Sequence, residues 1–124
     1  MKKQIATTAA PAAIGPYSQA IDLGNMVFIS GQIPVNPATG EVPEGIAAQT
    51  AQSIANIKAI LAEAGLTIDN VVKTTVFLAD MSLFVPMNEV YGKEFTAPYP
   101  ARSAVAVREL PKQVLVEIET IAVR

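Results

Sequence analysis

The chain contains no cysteine, no histidine and no tryptophan. Without thiols it has no disulfide, no thiolate nucleophile and no cysteine-type zinc site. Without imidazole it lacks the usual general base of neutral pH and the commonest metal ligand. Basic charge is scarce as well: 9 lysines and arginines stand against 11 aspartates and glutamates, for a formal net charge of −2. The basic residues are dispersed, so no positive footprint for nucleic acid is present and polyanion binding is disfavoured. No stretch approaches the roughly 20 uninterrupted apolar residues that cross a bilayer. The opening MKKQIATTAAPAAIG has two lysines followed by small residues, but Thr7, Thr8 and Pro11 break any continuous apolar segment of a signal peptide. It reads as mature sequence, and a soluble, cytoplasmic protein that does not engage a membrane is expected.

What is present is apolar material. A chain of 124 residues with 51% hydrophobic content suits one compact domain, residues 1–124, with ample substance for a core. Such a surplus in so short a chain predicts that some strand faces stay greasy after the monomer folds and are covered by further subunits.

The local patterns predict the element order β, ββ, α, β, α, ββ. Alternation over Lys3 to Thr7 suggests a first strand, and Pro11 and Pro16 place a loop after it. Ser18 to Leu23 and Met26 to Ser30 read as strands joined by a tight turn at Gly24 and Asn25. PVNPATGEVPEG is an irregular excursion. Ile46, Thr50, Ile54, Ile57, Leu61 and Ala64 then recur at helical spacing, with Gln49, Gln52, Asn56 and Glu63 opposite and Gly65 placed for a left-handed cap. Val71 to Ala79 is a β-branched strand. Ser82 is a candidate cap for a second helix striped by Phe84, Met87, Tyr91 and Phe95, with Pro86 tolerable only near its first turn. Arg102 to Val107 and Val114 to Val123 flank ELPKQ and suggest a closing hairpin. The fold class expected is α+β, a mixed six-stranded sheet with two helices on one face and the other face available to a partner subunit.

Within that expected hairpin, a symmetric turn sets Arg102 opposite Glu119 and Ala104 opposite Glu117 on one face, among Leu115, Ile121 and Val123. Two readings of Arg102 follow. It forms ion pairs across strands or between subunits, or it presents its planar fork to the carboxylate of a small acid, a bidentate geometry that lysine does not copy.

The stretch PARSAVAV followed by VEIE resembles the signature of the YjgF/Rid family of imine and enamine deaminases, and IGPYSQA, ISGQIPVNP and KTTVFLADM extend the match from Ile5 to Arg124. The resemblance implies a chorismate-mutase-like fold assembled as a homotrimer, with active sites in the clefts between subunits. It also implies hydrolysis of 2-imino acids such as 2-iminopropanoate and 2-iminobutanoate to 2-oxo acids and ammonia, with no metal or organic cofactor. By the same resemblance Arg102 is the carboxylate clamp, the backbone from Ser103 to Ala104 adds contacts beside it, and Glu117 holds or activates the attacking water. Tyr17 and Ser30 line the pocket with hydroxyls, Gly31 allows close backbone approach, and Asn88 is a further substrate-binding candidate. Taken alone, Tyr17 is a packed aromatic, Ser30 a strand-end residue and Asn88 a helix-face amide. For Glu117, burial raises the carboxyl pKa while a nearby Arg102 lowers it, and the sequence leaves the balance open.

One departure stands out. Many members of the family carry cysteine where this chain has Ala104, which excludes an essential thiol at that position and leaves a main-chain role. Two other function classes are carried forward. Ribonuclease or translation inhibition is attributed to relatives but meets an acidic chain without histidine. A non-catalytic, chaperone-like trimer that binds a small carboxylate would keep Arg102 and dispense with Glu117.

Overall fold

The computed structural model describes residues 1–124. Its strands are β1 (Lys3–Ile5), β2 (Ala20–Asp22), β3 (Met26–Gln32), β4 (Val71–Leu78), β5 (Ala101–Ala106) and β6 (Val116–Val123), with helices α1 (Ile46–Glu63) and α2 (Phe84–Glu94). They form one six-stranded mixed sheet in the order β1-β2-β3-β6-β4-β5. The expected α+β class is observed, with α1 packed on β3 and β6 and α2 against α1.

The period of two explains which face the helices cover. Val116, Ile118, Thr120 and Ala122 of β6 are at most 2% exposed, as are Thr74, Val76 and Leu78 of β4. These alternating positions meet Ile54, Ile57, Ile60 and Leu61 of α1, each fully buried. The opposite face carries no helix. Phe28 and Val105 stay exposed on it, and Ile21, Phe77 and Ile121 are half-buried.

The β2–β3 hairpin turns where expected. Leu23 N donates to Met26 O at 2.8 Å, Gly24 sits at φ +98°, and the Asp22 carboxylate accepts the Gly24 N–H at 2.7 Å. Helix α1 ends at Gly65, at φ +74°, through bonds from Leu66 N to Leu61 O and Gly65 N to Ala62 O, a Schellman closure. Pro86 lies in the first turn of α2, where a missing N–H costs nothing.

Three expectations are corrected. Ser82 does not cap α2: it lies within the 3-10 turn Met81–Leu83, which Asp80 caps by accepting the Ser82 N–H at 2.8 Å, and α2 follows from Leu83 with no side-chain cap of its own. Gln49 and Asn56 do not face solvent, being 7% and 1% exposed. The closing pair is not a hairpin. β6 lies antiparallel between β3 and β4, whereas β5 pairs only with β4, in parallel, as the outer strand. Composition accounts for this placement: β6 buries a continuous, mostly β-branched face and belongs in the sheet's interior, while β5 is mostly alanine and serine with one valine and one arginine and suits an edge. The unit from β4 through α2 to β5 is a parallel crossover, which a helix can bridge and a tight turn cannot.

Candidate active site

The corrected topology separates Arg102 from both glutamates. Arg102 is in register with Thr74 of β4, a residue on the helix-covered face. Glu119 is in register with Thr75 and Glu117 with Phe77, both on the open face. Within one chain the arginine and the carboxylates therefore lie on opposite sides of the sheet.

On the helix side the guanidinium is built into an aromatic seat. Its carbon lies 4.6 Å from the Tyr91 ring centroid and 5.4 Å from that of Phe84, within cation–π range. Tyr91 is fixed in turn by a 2.6 Å hydrogen bond between its hydroxyl and Thr74 Oγ1 and by stacking on Phe95 at 4.3 Å. Burial pushes the Tyr91 phenol above its ordinary value, with the Thr74 bond and the Arg102 charge opposing. Asn88, one turn before Tyr91, accepts a 2.7 Å hydrogen bond from Arg102 Nη1. The ion pairs of the chain are Lys58 with Glu94 and Arg124 with Asp22, so no carboxylate neutralises Arg102. A cleft of about 470 Å³ opens beside it, lined by Asn88, Tyr91, Gly92, Tyr99, Pro100 and Arg102. Ala104 shares this face and packs against the core, whereas Ser103 alternates to the other face. A guanidinium held at one nitrogen, with further N–H groups aimed into a cleft, is equipped to receive an oxyanion.

The open face carries the second group. Between Ile29 and Gln32 the pairing of β3 with β6 slips, and this bulge presents Gly31 beside Glu117, while Ser30 lines a separate cleft of about 420 Å³ with Lys73, Thr75 and Glu119. A side chain at position 31 would collide with the Glu117 carboxylate: an added Cβ comes within 2.9 Å of its Cδ and closer still to Oε2. Glycine there is the condition for the carboxylate to lie against backbone. Burial, and then the charge of Glu119, raise the Glu117 carboxyl above its ordinary value, and no arginine of the same chain offsets them. The Ser30 hydroxyl donates to Ser18 O at 2.6 Å, so its proton is committed and its lone pairs remain. Tyr17, half exposed, lines a cleft of about 340 Å³ with Gly31, Gln32, Ile33 and Lys112. No group of three acidic side chains gathers in a way that could hold a metal ion.

The site candidates thus fall on two sides of the sheet: Arg102 with Asn88 and Ala104 on one, and on the other Glu117 against Gly31, with Tyr17 sharing the cleft of Gly31 and Ser30 lining a neighbouring cleft with Glu119. Sequence patterning overlooked Tyr91 and Phe84 as the seat of the arginine. Their signal was the stripe that placed them in the core, because the arginine's register with Thr74 depends on a strand order that the local pattern does not encode.

The chain matches the family model described as Endoribonuclease L-PSP over residues 7–124. It is 58% identical to the 2-iminobutanoate/2-iminopropanoate deaminase of Escherichia coli K12, covering 100% of this chain and 99% of that protein. The crystal structure of the E. coli YjgF product superposes with a TM-score of 0.93 at 58% identity over 98% of both chains. That of E. coli TdcF with bound serine superposes with a TM-score of 0.94 at 51% identity, again over 98% of both.

Proposed function

We propose that this chain, which belongs to the Endoribonuclease L-PSP family, the YjgF/Rid proteins, hydrolyses short 2-imino acids to 2-oxo acids and ammonia in clefts completed between copies of itself. The observation that carries the reading is the unpaired Arg102 guanidinium, seated on Tyr91 and open to a cleft. Support comes from the relative named 2-iminobutanoate/2-iminopropanoate deaminase and from TdcF, whose bound serine combines a carboxylate with a nitrogen on the adjacent carbon as a 2-imino acid does.

The chemistry asks little of the side chains. The C=N carbon of a protonated imine is already electrophilic, so the protein orients it, places a water and stabilises the adduct. Arg102 receives the substrate carboxylate on its fork, steadied by Asn88. Glu117 takes one proton from water as the oxygen bonds to C2 and the C=N π pair moves to nitrogen, giving a tetrahedral amino alcohol. Glu117 returns that proton to the amine, the C–N bond breaks, and the hydroxyl oxygen becomes the carbonyl as its proton passes through Glu117 to the departing ammonia, which leaves as ammonium. A carboxyl with a raised pKa is the stronger base for the first step. Tyr17 and the Gly31 backbone line the wall from which the water approaches. No step calls on a metal or organic cofactor, and Ala104 supplies only backbone and a small wall.

Because Arg102 and Glu117 lie on opposite faces of one chain, the complete site requires Arg102 of one subunit beside Glu117 of another. A homotrimer that sets the uncovered face of one copy against the β5 edge of the next would provide this and also cover Phe28 and Val105. The test generates 2-iminopropanoate enzymatically in the presence of a competing amine trap and measures pyruvate. The purified protein should raise the pyruvate yield; no rise with any of several 2-imino acids would leave a carboxylate-binding module as the better reading.

A further inference from the structure

The cleft beside Gly31 is walled by irregular chain, and buried side-chain amides hold that chain in place. Pro11, Ile33 and Val35, all outside strands and helices, line it. Gln19, 3% exposed at the entry to β2, grips the first wall. Its Oε1 accepts the Thr7 N–H at 2.7 Å, and its Nε2 faces Thr7 O at 3.1 Å, Ala10 O at 3.3 Å and Pro11 O at 2.7 Å. Across residues 7–17 the sole bond joining two backbone groups is Tyr17 N to Gly15 O, at 2.9 Å. The amide therefore supplies the hydrogen bonds that tie this segment to the sheet, beside the burial of Ala10 in the core. Asn56, 1% exposed on α1, grips the second wall: its Nδ2 donates to Ile33 O at 3.2 Å and Val35 O at 3.0 Å. Gln52 Nε2 donates to Asn56 Oδ1 at 2.9 Å and fixes which way that amide points.

An apolar side chain at either buried position would avoid the cost of desolvating an amide. Both positions instead carry amides directed at the chain that walls one cleft.

We propose that Gln19 and Asn56 are positioning residues that set the width of this cleft, and through it the preference between 2-imino acids of different side-chain length. The inference rests on the deaminase reading given above. Asn56 does not border the cleft and acts through Ile33 and Val35; Gln19 reaches its edge and acts chiefly through Pro11, which its amide holds. Release of a wall lets the cleft widen, which weakens discrimination against the longer side chain.

The test uses the full chain carrying Gln19→Glu or Asn56→Asp, which keep the shape and the acceptor oxygen and remove the donors to the wall carbonyls. Gln19→Met and Asn56→Ala serve where a charge prevents folding. Ile60→Val, a fully buried core change on α1 away from this cleft, is the control for stability alone. Kinetics on 2-iminobutanoate and 2-iminopropanoate are combined with hydrogen exchange of residues 7–17 and 33–37. The amide variants should shift the ratio of kcat/KM between the two substrates by about 5-fold or more, part of the range that one methylene commands in a fitted pocket. The shift should fall mainly on KM, and the matching wall should exchange faster. Ile60→Val should lower Tm and leave the ratio alone. A ratio unchanged in the folded amide variants, or moved as far by Ile60→Val, overturns the inference, as does unaltered exchange of both walls. Exchange needs no substrate, so it judges the amide clamps even where an inactive wild type would sink the deaminase reading.

Discussion

Arg102 and Glu117 have opposite surroundings, and those surroundings divide their roles. The guanidinium is oriented by Tyr91, Phe84 and Asn88. Arg102→Lys retains the charge and loses the fork, so it should keep the fold while reducing kcat/KM about a hundredfold, the scale of a substrate displaced by about 1 Å; steady-state kinetics beside a circular dichroism spectrum checks both halves. Glu117 is pushed the other way, by burial first and by the Glu119 charge second. The unfolded chain releases that proton at lower pH than the folded chain does, so between the two values the folded state holds more protons and stability falls as pH rises. Glu117→Gln should consequently melt higher than wild type at neutral pH, with the advantage disappearing below the ordinary carboxylate range. Melting curves across pH read this directly, and an advantage constant at every pH would contradict it. Glu119→Gln removes the like charge and should move the acidic limb of kcat/KM to lower pH. At this scale the residue types were legible in the sequence. The sign for Glu117 was not, because it depended on whether Arg102 stood on the same face, a matter of strand order. Gln49 and Asn56 were misplaced for a related reason: helical periodicity records polarity, and it cannot distinguish an amide in water from one spent on a buried loop carbonyl.

Elements whose signals are local appeared where their residues predicted them. The α1 stripe, the Gly24 turn and the Gly65 cap rest on neighbours within a few positions, and each is present. The closing hairpin failed because two consecutive strand-like runs suggest sequential pairing, while the decisive contacts were distant ones: β3 and β4 both needed a partner with a fully buried face, and β6 served them through Val116, Ile118, Thr120 and Ala122. This same long-range pairing moves β5 to the edge and carries Arg102 beneath α2, so the element that went unread is the one that builds the arginine's cleft. The Gly65 cap offers a control free of the site. At φ +74° an alanine enters the left-handed region, and Gly65→Ala should cost about 1 kcal/mol of stability with kcat/KM unchanged. Thermal melts and kinetics on one preparation decide it, and a loss of turnover would mean that α1 transmits strain to the site.

For the whole molecule, a single chain leaves two things unfinished: an apolar sheet face carrying Phe28 and Val105, and a pair of half-sites that its own backbone holds apart. The proposed homotrimer would resolve both, with the Glu117 side of one copy set against the edge strand of another. The consequence can be tested by mixing two inactive proteins. On the roles proposed above, Arg102→Lys lacks the clamp and keeps the base, and Glu117→Gln lacks the base and keeps the clamp. If every site draws Arg102 from one subunit and Glu117 from the next, unfolding the two variants together in equal amounts and refolding them gives intact sites wherever a Glu117→Gln subunit lends its arginine to an Arg102→Lys neighbour. Random assortment makes that about one interface in four, so about a quarter of the wild-type rate should return. Sites assembled within single chains would regain nothing on mixing, because each chain would still lack one of the two groups.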